Sequence, residues 1–279
     1  MSRVFRALER AEKEKQGKLP EKPFLGIFGG ESIAPKDEVP VNNLKLGPER
    51  LEVSVGEEIV ISIAPPHSYA EEQFRKLKTQ IFRRSPRPPR CILITSSFPQ
   101  EGKSTIAVNL AMSISQEIHK KVILIDADLR KPSIYTDKYS NSKGLSDYLS
   151  GQKTISEILT NFESENFMII PAGIPSQKPA ELIGSGRMKD LLKNLREFGE
   201  DTFVLIDSPP VLTTSEPLLL SEWVDGVILV VLAGRIPKGA VRRVVDSIGR
   251  EKIIGVVFNQ KDLKPIKHYY DHYYRNYRK

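Results

Sequence analysis

Short, continuous apolar runs alternate with longer helical patterns in the second two-thirds of the chain. The runs, each bounded by polar, Gly or Pro residues, lie at 91–95, 122–125, 167–171, 203–206, 227–232 and 253–258. Runs that are apolar at every position are typical of strands buried on both faces. Helical periodicity fills the spaces between them, for example at 103–118, 187–198 and 238–248. The pattern predicts an α/β fold with a mainly parallel sheet flanked by helices, and a ligand site at the carboxyl ends of the strands.

The first 66 residues show a different pattern. Residues 3–15 place Val4, Phe5 and Leu8 on one face of a short helix and basic residues on the other. Such a helix fits packing on its own domain, or docking to a partner or an anionic membrane. Prolines and glycines break the periodicity over 17–66, which indicates a linker with one short strand at 58–63. A helical pattern at 68–84 then opens the globular part.

Composition narrows the class of protein. The chain has 279 residues, 39% of them hydrophobic, and its single cysteine, Cys91, cannot form an internal disulfide. No apolar run approaches the roughly 20 residues that span a bilayer, so we expect a cytoplasmic protein. The net charge of +7 is compatible with nucleic acid, an anionic membrane or a polyphosphate ligand, and by itself it selects none of them.

The candidate phosphate site is the segment Ser96-Ser-Phe-Pro-Gln-Glu-Gly-Lys-Ser-Thr, which lies between the first predicted sheet strand and a helix. In a P-loop, backbone N–H groups and the helix N-terminus surround the phosphates, Lys103 reaches the β- and γ-phosphates, and Ser104 binds Mg²⁺. Ser97 replaces the first glycine of the usual pattern, so this is a deviant Walker A motif. The order of strand, loop and helix disfavours an ordinary helix that begins with lysine. The predicted nucleotide-binding residues are Ser97, Phe98, Pro99, Gln100, Glu101, Gly102, Lys103, Ser104 and Thr105.

Three aspartates are predicted at the same end of the sheet. Asp126 and Asp128 follow the second strand, and Asp207 follows the strand at 203–206. Mg²⁺ is commonly held by one or two carboxylates together with hydroxyl, water and phosphate oxygens. An aspartate after a strand is often only a turn former or a helix cap, but three of them beside a P-loop favour a metal site. Its predicted members are Ser104, Asp126, Asp128 and Asp207.

These segments resemble the motifs of a known family. The P-loop, Ile-Asp126-x-Asp128-x-Arg130 and Leu-Ile-Asp207-Ser-Pro-Pro are similar to the Walker A, Walker A′ and Walker B motifs of the bacterial tyrosine kinases of capsule and exopolysaccharide synthesis. The similarity extends over 68–262. Partition and division-site ATPases are less similar, because Phe98 stands where they carry a second P-loop lysine.

The resemblance implies an ATP- and Mg²⁺-dependent protein-tyrosine autokinase that regulates capsule or exopolysaccharide synthesis or export. It implies that Lys103 holds the transferred phosphate, that Asp126 is the catalytic base and associates with the metal, and that Asp128 and Asp207 support Mg²⁺. Asn259, at the end of the last strand, is expected to contact the adenine.

Two alternatives to this function stay open. One is a partition-type or positioning ATPase that has no protein substrate, and the other is a nucleotide-dependent scaffold without kinase activity. Arg130 fits the Walker A′ pattern, but the resemblance gives it no role.

Two further segments are similar to parts of this family. Glu72, Arg75 and Lys78 match its E-x-x-R-x-x-R interface motif, with Lys78 in the place of the last arginine. The spacing of three places these charges in one row on a face of the predicted helix at 68–84. The C-terminal tail holds five of the nine tyrosines, and these resemble autophosphorylation sites: Tyr269, Tyr270, Tyr273, Tyr274 and Tyr277. An aromatic helix docked on the domain and a surface that stacks on single-stranded nucleic acid are the other interpretations of this tail. Nucleic acid is not expected, because no base-binding fold accompanies the tail.

The resemblance also implies partners. It implies a homo-oligomer, such as a ring, a separate membrane activator of the chain-length-regulator type, and a tyrosine phosphatase. The activator would recruit the protein to the inner face of the plasma membrane. The expected organisation is an N-terminal helix and linker at 1–66, a P-loop kinase domain at 67–263 and a tyrosine-rich tail at 264–279.

Overall fold

The computed structural model describes residues 52–55, 59–84, 87–134, 143–162 and 164–260, with side chains described from residue 63 onward. The predicted N-terminal helix, most of the predicted linker and the tyrosine-rich tail lie outside these residues. All of the described residues belong to one compact unit, which begins at Arg50. None of the helices within these ranges is long and apolar enough to cross a membrane.

Seven strands form one sheet, and two others form a separate hairpin. The strands are β1 (Glu52–Val55), β2 (Ile59–Ser62), β3 (Cys91–Ser96), β4 (Lys121–Asp126), β5 (Thr160–Phe162), β6 (Ser164–Ile170), β7 (Thr202–Asp207), β8 (Gly226–Leu232) and β9 (Ile253–Asn259). The sheet has the order β5-β6-β4-β7-β3-β8-β9. All neighbouring strands in it are parallel except β5 and β6. The predicted mainly parallel α/β fold is therefore confirmed.

Burial explains which strands could be predicted. Every residue of β3 and β7 is buried, because helices cover both faces of the sheet centre, and continuous apolar runs mark such strands. The edge strand β5 is only Thr-Asn-Phe, which is too short and too polar to give a signal. One strand was expected at 58–63, whereas β1 and β2 pair as an antiparallel hairpin.

The described residues form eight helices, of which the longest follow the predicted periodicity. They are α1 (Tyr69–Phe82), α2 (Lys103–Ser115), α3 (Leu145–Leu149), α4 (Ile155–Ile158), α5 (Pro179–Ile183), α6 (Gly186–Arg196), α7 (Glu216–Trp223) and α8 (Lys238–Ile248). The four long ones, α1, α2, α6 and α8, lie where helical patterns were predicted.

The P-loop helix α2 is enclosed by the rest of the domain. It packs against α1 on one side and against β3, β4, β6 and β7 on the other. Ten of its thirteen residues are buried, so it has almost no surface in water. Burial of apolar area stabilises such a helix by roughly 25 cal/mol per Å². The first residue of α2, Lys103, is therefore carried by a rigid element.

Candidate active site

The P-loop connects β3 to α2 at the centre of the sheet. Ser97, Phe98, Pro99, Gln100, Glu101 and Gly102 form the loop, and Lys103, Ser104 and Thr105 form the first residues of the helix. Gly102 has φ +87°, and a Cβ there would lie 2.0 Å from Asn259 Nδ2. Another residue here would have to displace the Asn259 side chain and adopt a left-handed backbone, so glycine is strongly favoured. Gln100 has φ +64°, which is a strained conformation for a residue with a side chain.

Two side chains fix the P-loop to the neighbouring strands, and we call Glu101 and Asn259 the P-loop clamp. Glu101 is 1% exposed. Its Oε1 accepts Phe98 N–H at 2.6 Å and its Oε2 accepts Leu232 N–H, at the end of β8, at 3.0 Å. Asn259 Nδ2 donates to the Glu101 carbonyl at 2.9 Å. Burial raises the pKa of Glu101, while hydrogen bonds from backbone N–H groups oppose the rise.

The clamp gives Asn259 a position that was not predicted. Its Nδ2 binds the P-loop, and its Oδ1 accepts the N–H of Gln260 at 2.9 Å. Both polar atoms of the side chain are thus engaged with the backbone of the chain. Contact of Asn259 with an adenine stays a prediction.

The predicted metal residues Ser104 and Asp207 are in direct contact. Because β4 and β7 are neighbours in register, Asp126 is paired with Asp207 across the sheet. Ser104 Oγ donates to Asp207 Oδ2 at 2.5 Å. Ser133 Oγ lies 2.6 Å from Ser104 Oγ and 2.9 Å from Asp207 Oδ2. Lys103 Nζ lies 3.8 Å from Asp207 Oδ2. These side chains form one compact cluster at the mouth of the P-loop.

Asp126 and Asp128 shape the loop beside this cluster. Asp126 is fully buried and accepts the N–H groups of Asp128, Ser133 and Ile134 at 3.0, 2.9 and 2.8 Å. Asp128 Oδ2 lies 3.8 Å from Lys103 Nζ. Asp126 therefore reaches the Ser104 cluster through Ser133, whereas Asp128 faces the P-loop lysine.

The acidic groups lie close enough to change each other's titration. Burial raises the pKa of Asp126 to about 7, and the charges of Asp207 and Asp128 add to the rise. Burial also raises the pKa of Asp207, against the opposing charge of Lys103 and the hydrogen bonds from Ser104 and Ser133. Burial disfavours the Lys103 cation, but the surrounding aspartates outweigh it and raise the pKa of Lys103. Lys103 is thus a permanent cation at neutral pH.

One buried atom in this cluster lacks a partner. Asp207 Oδ1 is buried and makes no hydrogen bond to the described residues, and Ser104 Oγ is bonded to the other oxygen of the same carboxylate. A hydroxyl beside a free carboxylate oxygen fits Mg²⁺, which takes phosphate and water oxygens for its other positions. Within the described ranges, no group of three or more His, Cys, Asp or Glu side chains is placed to hold a metal alone.

Ser133 and Glu216 belong to the site region but were not predicted. Ser133 bonds to both Ser104 and Asp207, yet no motif spacing marks it. Glu216 accepts a hydrogen bond from Arg130 Nε at 2.8 Å. An acidic residue at the start of a helix is normally interpreted as a helix-dipole partner, and nothing in the sequence connects Glu216 with Arg130.

The predicted interface residues do not all point outward. Arg75 is exposed and pairs with Glu71 at 3.0 Å and with Glu72 at 3.8 Å. Lys78 is 7% exposed; its Nζ donates to the Ser113 carbonyl at 3.0 Å and pairs with Glu117. The prediction that all three charges lie in one exposed row is therefore wrong for Lys78, because its long side chain turns inward to the C-terminal end of α2. The tail tyrosines lie outside the described residues.

Comparison with known proteins places these motifs in a family. A family model described as an AAA domain matches residues 92–237, just over half of the chain. The tyrosine-protein kinase YwqD of Bacillus subtilis is 33% identical over 214 residues, which cover 75% of this chain and 89% of YwqD. The tyrosine-protein kinase ptk of Acinetobacter johnsonii is 31% identical over 212 residues, 75% of this chain and 28% of that longer protein.

A solved structure gives the same answer for the fold. The crystal structure of the chimerical protein CapA2B2 matches with a TM-score of 0.64 and 33% identity, over 70% of this chain and 87% of the other. Together with the Walker A, A′ and B geometry, these similarities show that the chain belongs to the bacterial tyrosine-protein kinases, P-loop enzymes built on an AAA domain.

Proposed function

We propose that this kinase uses Mg·ATP to phosphorylate its own C-terminal tyrosines and thereby regulates capsule or exopolysaccharide synthesis or export. The observation that carries the proposal is the cluster of Lys103, Ser104 and Asp207 at the P-loop mouth, with the buried Asp207 Oδ1 free to accept a cation. Membership of a tyrosine-kinase family supports the choice of a tyrosine as phosphate acceptor.

The proposed chemistry gives a role to each of the main side chains of the site. P-loop N–H groups bind the phosphate chain, and Lys103 binds oxygens of the transferred phosphate, so that positioning and charge lower the barrier. Mg²⁺, held by Ser104 and Asp207 with Asp128 beside them, supplies further positive charge when bound. The attacking tyrosine, with an ordinary pKa of about 10, must lose its proton. Asp126 is the proposed acceptor, since a pKa raised to about 7 lets it hold a proton near neutral pH.

The proposed substrate is the tyrosine-rich tail, and the proposed organisation is 1–66, 67–263 and 264–279. Transfer to the tail of a neighbouring copy would follow from assembly into a homo-oligomeric ring through α1, for which Glu72 and Arg75 are the proposed contacts. Lys78 supports α1 from inside the domain. The family resemblance further supports a separate membrane activator, recruitment to the inner face of the plasma membrane, and a tyrosine phosphatase that resets the tail.

A partition-type ATPase is the second candidate, and the P-loop disfavours it. Phe98 occupies the place of the second lysine of those ATPases, and its N–H is bonded to Glu101. A scaffold without catalysis is disfavoured by the assembled set of Lys103, Ser104 and Asp207. Neither alternative explains five tyrosines within the last eleven residues.

Intact-mass measurement after incubation with Mg·ATP tests the proposal. We expect added multiples of one phosphate in the wild-type chain. A variant with all five tail tyrosines changed to Phe is the matched control, and it should release phosphate slowly without gaining mass. Free phosphate without any added mass in the wild-type chain, with the membrane activator's cytoplasmic segment present, would favour the ATPase instead.

A further inference from the structure

Arg130 and Glu216 form an ion pair that bridges the two loops carrying the aspartates. Arg130 Nε donates to Glu216 Oε1 at 2.8 Å. Arg130 lies in the loop after β4, and Glu216 is the first residue of α7, which follows the loop after β7. The inner ends of these loops meet where Ala127 N–H donates to the Asp207 carbonyl at 2.8 Å. The ion pair joins the same loops farther from the sheet.

The two members of the pair have very different environments. The Glu216 side chain is 1% exposed and the Arg130 side chain is 51% exposed. A buried carboxylate has lost its hydration, so removal of its partner leaves an uncompensated charge, which is far more costly than breaking an exposed pair. Glu216 Oε2 has no hydrogen-bond partner among the described residues. The N-terminus of α7 supplies only a fraction of a positive charge, so the Arg130 guanidinium is the main compensation.

The turn that carries Arg130 also sets the direction of Asp128. Asp128 Oδ1 accepts the N–H of Lys131 at 3.0 Å, which closes the turn around Arg130. Asp128 Oδ2 lies 3.8 Å from Lys103 Nζ. If the guanidinium lost its anchor on Glu216, this turn would be free to shift, and the Asp128 carboxylate would move relative to the P-loop lysine.

We propose that Arg130 is a positioning residue that, anchored on Glu216, holds Asp128 in place for the metal–nucleotide complex. The proposal rests on the proposed function, because it gives Asp128 a part in the Mg²⁺ site. Arg130 acts through Asp128 and needs no contact with the nucleotide. Groups that orient a metal-associated residue typically change metal affinity or activity by roughly 10–100-fold when they are removed.

The test is a Mg²⁺ titration of the binding of a fluorescent ADP analogue to the full-length chain. The variants are Arg130→Ala, Glu216→Gln, the two combined, and Arg130→Lys. We expect each of the first two to raise the Mg²⁺ concentration for half-maximal binding by roughly tenfold, with no further rise in the double variant. Binding of the analogue without Mg²⁺ should stay unchanged. Arg130→Lys should recover part of the loss, because an ammonium group can still pair with the buried carboxylate.

Lys120→Ala is the matched control, since it breaks the exposed Lys120–Asp201 pair at the opposite end of β4 and should leave the titration unchanged. The proposal is overturned if Arg130→Ala has its effect while Glu216→Gln has none, because Arg130 would then act on the nucleotide directly. It is also overturned if both variants only lower the melting temperature. If the variants show the expected Mg²⁺ effects but the wild-type chain never gains phosphate from Mg·ATP, the proposed function is refuted and this inference stands.

Discussion

Glu101 under the P-loop and Asp126 behind the Ser104 cluster are buried carboxylates with the same kind of partner. Each accepts backbone N–H groups from nearby segments of the chain, and burial is the largest cause of the raised pKa of each. Only Asp126 has other carboxylates beside it, and Asp207 and Asp128 help to raise its pKa to about 7. Hydrogen bonds to backbone N–H groups alone give Glu101 a structural role. At Asp126, burial and the charges of neighbouring carboxylates together raise the pKa to about 7, so this group can exchange a proton near neutral pH.

Lys103→Met should have the largest effect, because it removes the cation that lies between the two regions. Loss of one preorganised charge on the transferring group costs roughly 3–4 kcal/mol, or hundreds-fold in rate. Autophosphorylation should therefore be abolished while the circular dichroism spectrum is retained. Lys121→Met, an exposed lysine at the far end of β4, is the control and should keep its activity. A near-normal rate in the Lys103 variant would remove the P-loop mechanism.

Asp207→Asn should have the next largest effect, because it removes one of the carboxylates that surround Asp126. We expect the Mg²⁺ requirement for autophosphorylation to rise by at least roughly tenfold, since this carboxylate carries the free oxygen beside Ser104. The pKa of Asp126 should also fall, because the charge of Asp207 is one cause of its rise. Asp201→Asn, exposed just before β7, is the control. An unchanged Mg²⁺ titration in the Asp207 variant would exclude this carboxylate from the metal site.

The pH dependence of stability should also distinguish Asp126 from Glu101, although the expected effect is smaller than those of the two substitutions above. A folded-state pKa of about 7 for Asp126, above its ordinary value of 3.8, means that the folded state binds the proton more tightly. Stability from this group is complete below the ordinary value and is lost as the pH rises through the folded value. Without nucleotide, the melting temperature should therefore fall as the pH rises from about 5 to about 8.

Two variants assign this slope to one of the two carboxylates. Asp126→Asn should flatten the slope, although it also lowers stability by removing an acceptor of backbone N–H groups. Glu101→Gln should lower stability for the same reason but remove less of the slope, because no neighbouring carboxylate adds to the raised pKa of Glu101. Thermal denaturation across the pH series measures both quantities. If Glu101→Gln flattened the slope and Asp126→Asn did not, the contrast between the two regions would be reversed.

Gln100→Gly should have the smallest effect, a gain in stability that arises in the P-loop region held by Glu101 and Asn259. A left-handed residue with a Cβ costs roughly 1–2 kcal/mol, whereas glycine loses roughly 0.5–1 kcal/mol more chain entropy on folding. Relief of the strain at φ +64° outweighs this entropy loss, so the variant should be more stable by somewhat under 1 kcal/mol, or roughly 2–3 °C in melting temperature. Differential scanning calorimetry checks this, with Gln116→Gly, in right-handed backbone, expected to destabilise.

The central strands and the order of motifs could be predicted because the physics that fixes them is local in sequence. A strand buried on both faces has a continuous apolar run, and β3 and β7 have such runs at 91–94 and 203–206. The strand ends then bring Asp126 and Asp207 together, since parallel neighbours end at the same edge. Edge strand β5, with the sequence Thr-Asn-Phe, has one face in water and gives no such pattern.

Side-chain direction within the motifs could not be predicted. The P-loop pattern shows which residues surround the phosphate, but it does not show that Glu101 turns beneath the loop to reach Leu232, far away in sequence. Helical spacing predicted that Lys78 lies in one row with Arg75. In the structure its ammonium group instead donates to a carbonyl near the C-terminal end of α2. Ser133 enters the site only because Asp126 folds the following loop back onto itself.

The enclosure of α2 determines how this protein will respond to hydrogen exchange. Amide hydrogens in an element that has almost no solvent-exposed face exchange with solvent only when a large part of the domain opens. The amides of α2 should therefore report the free energy of global opening, even though the helix begins at the nucleotide site. Ligand-induced changes in local protection should be sought in the loops after β3, β4 and β7, each of which contains exposed residues.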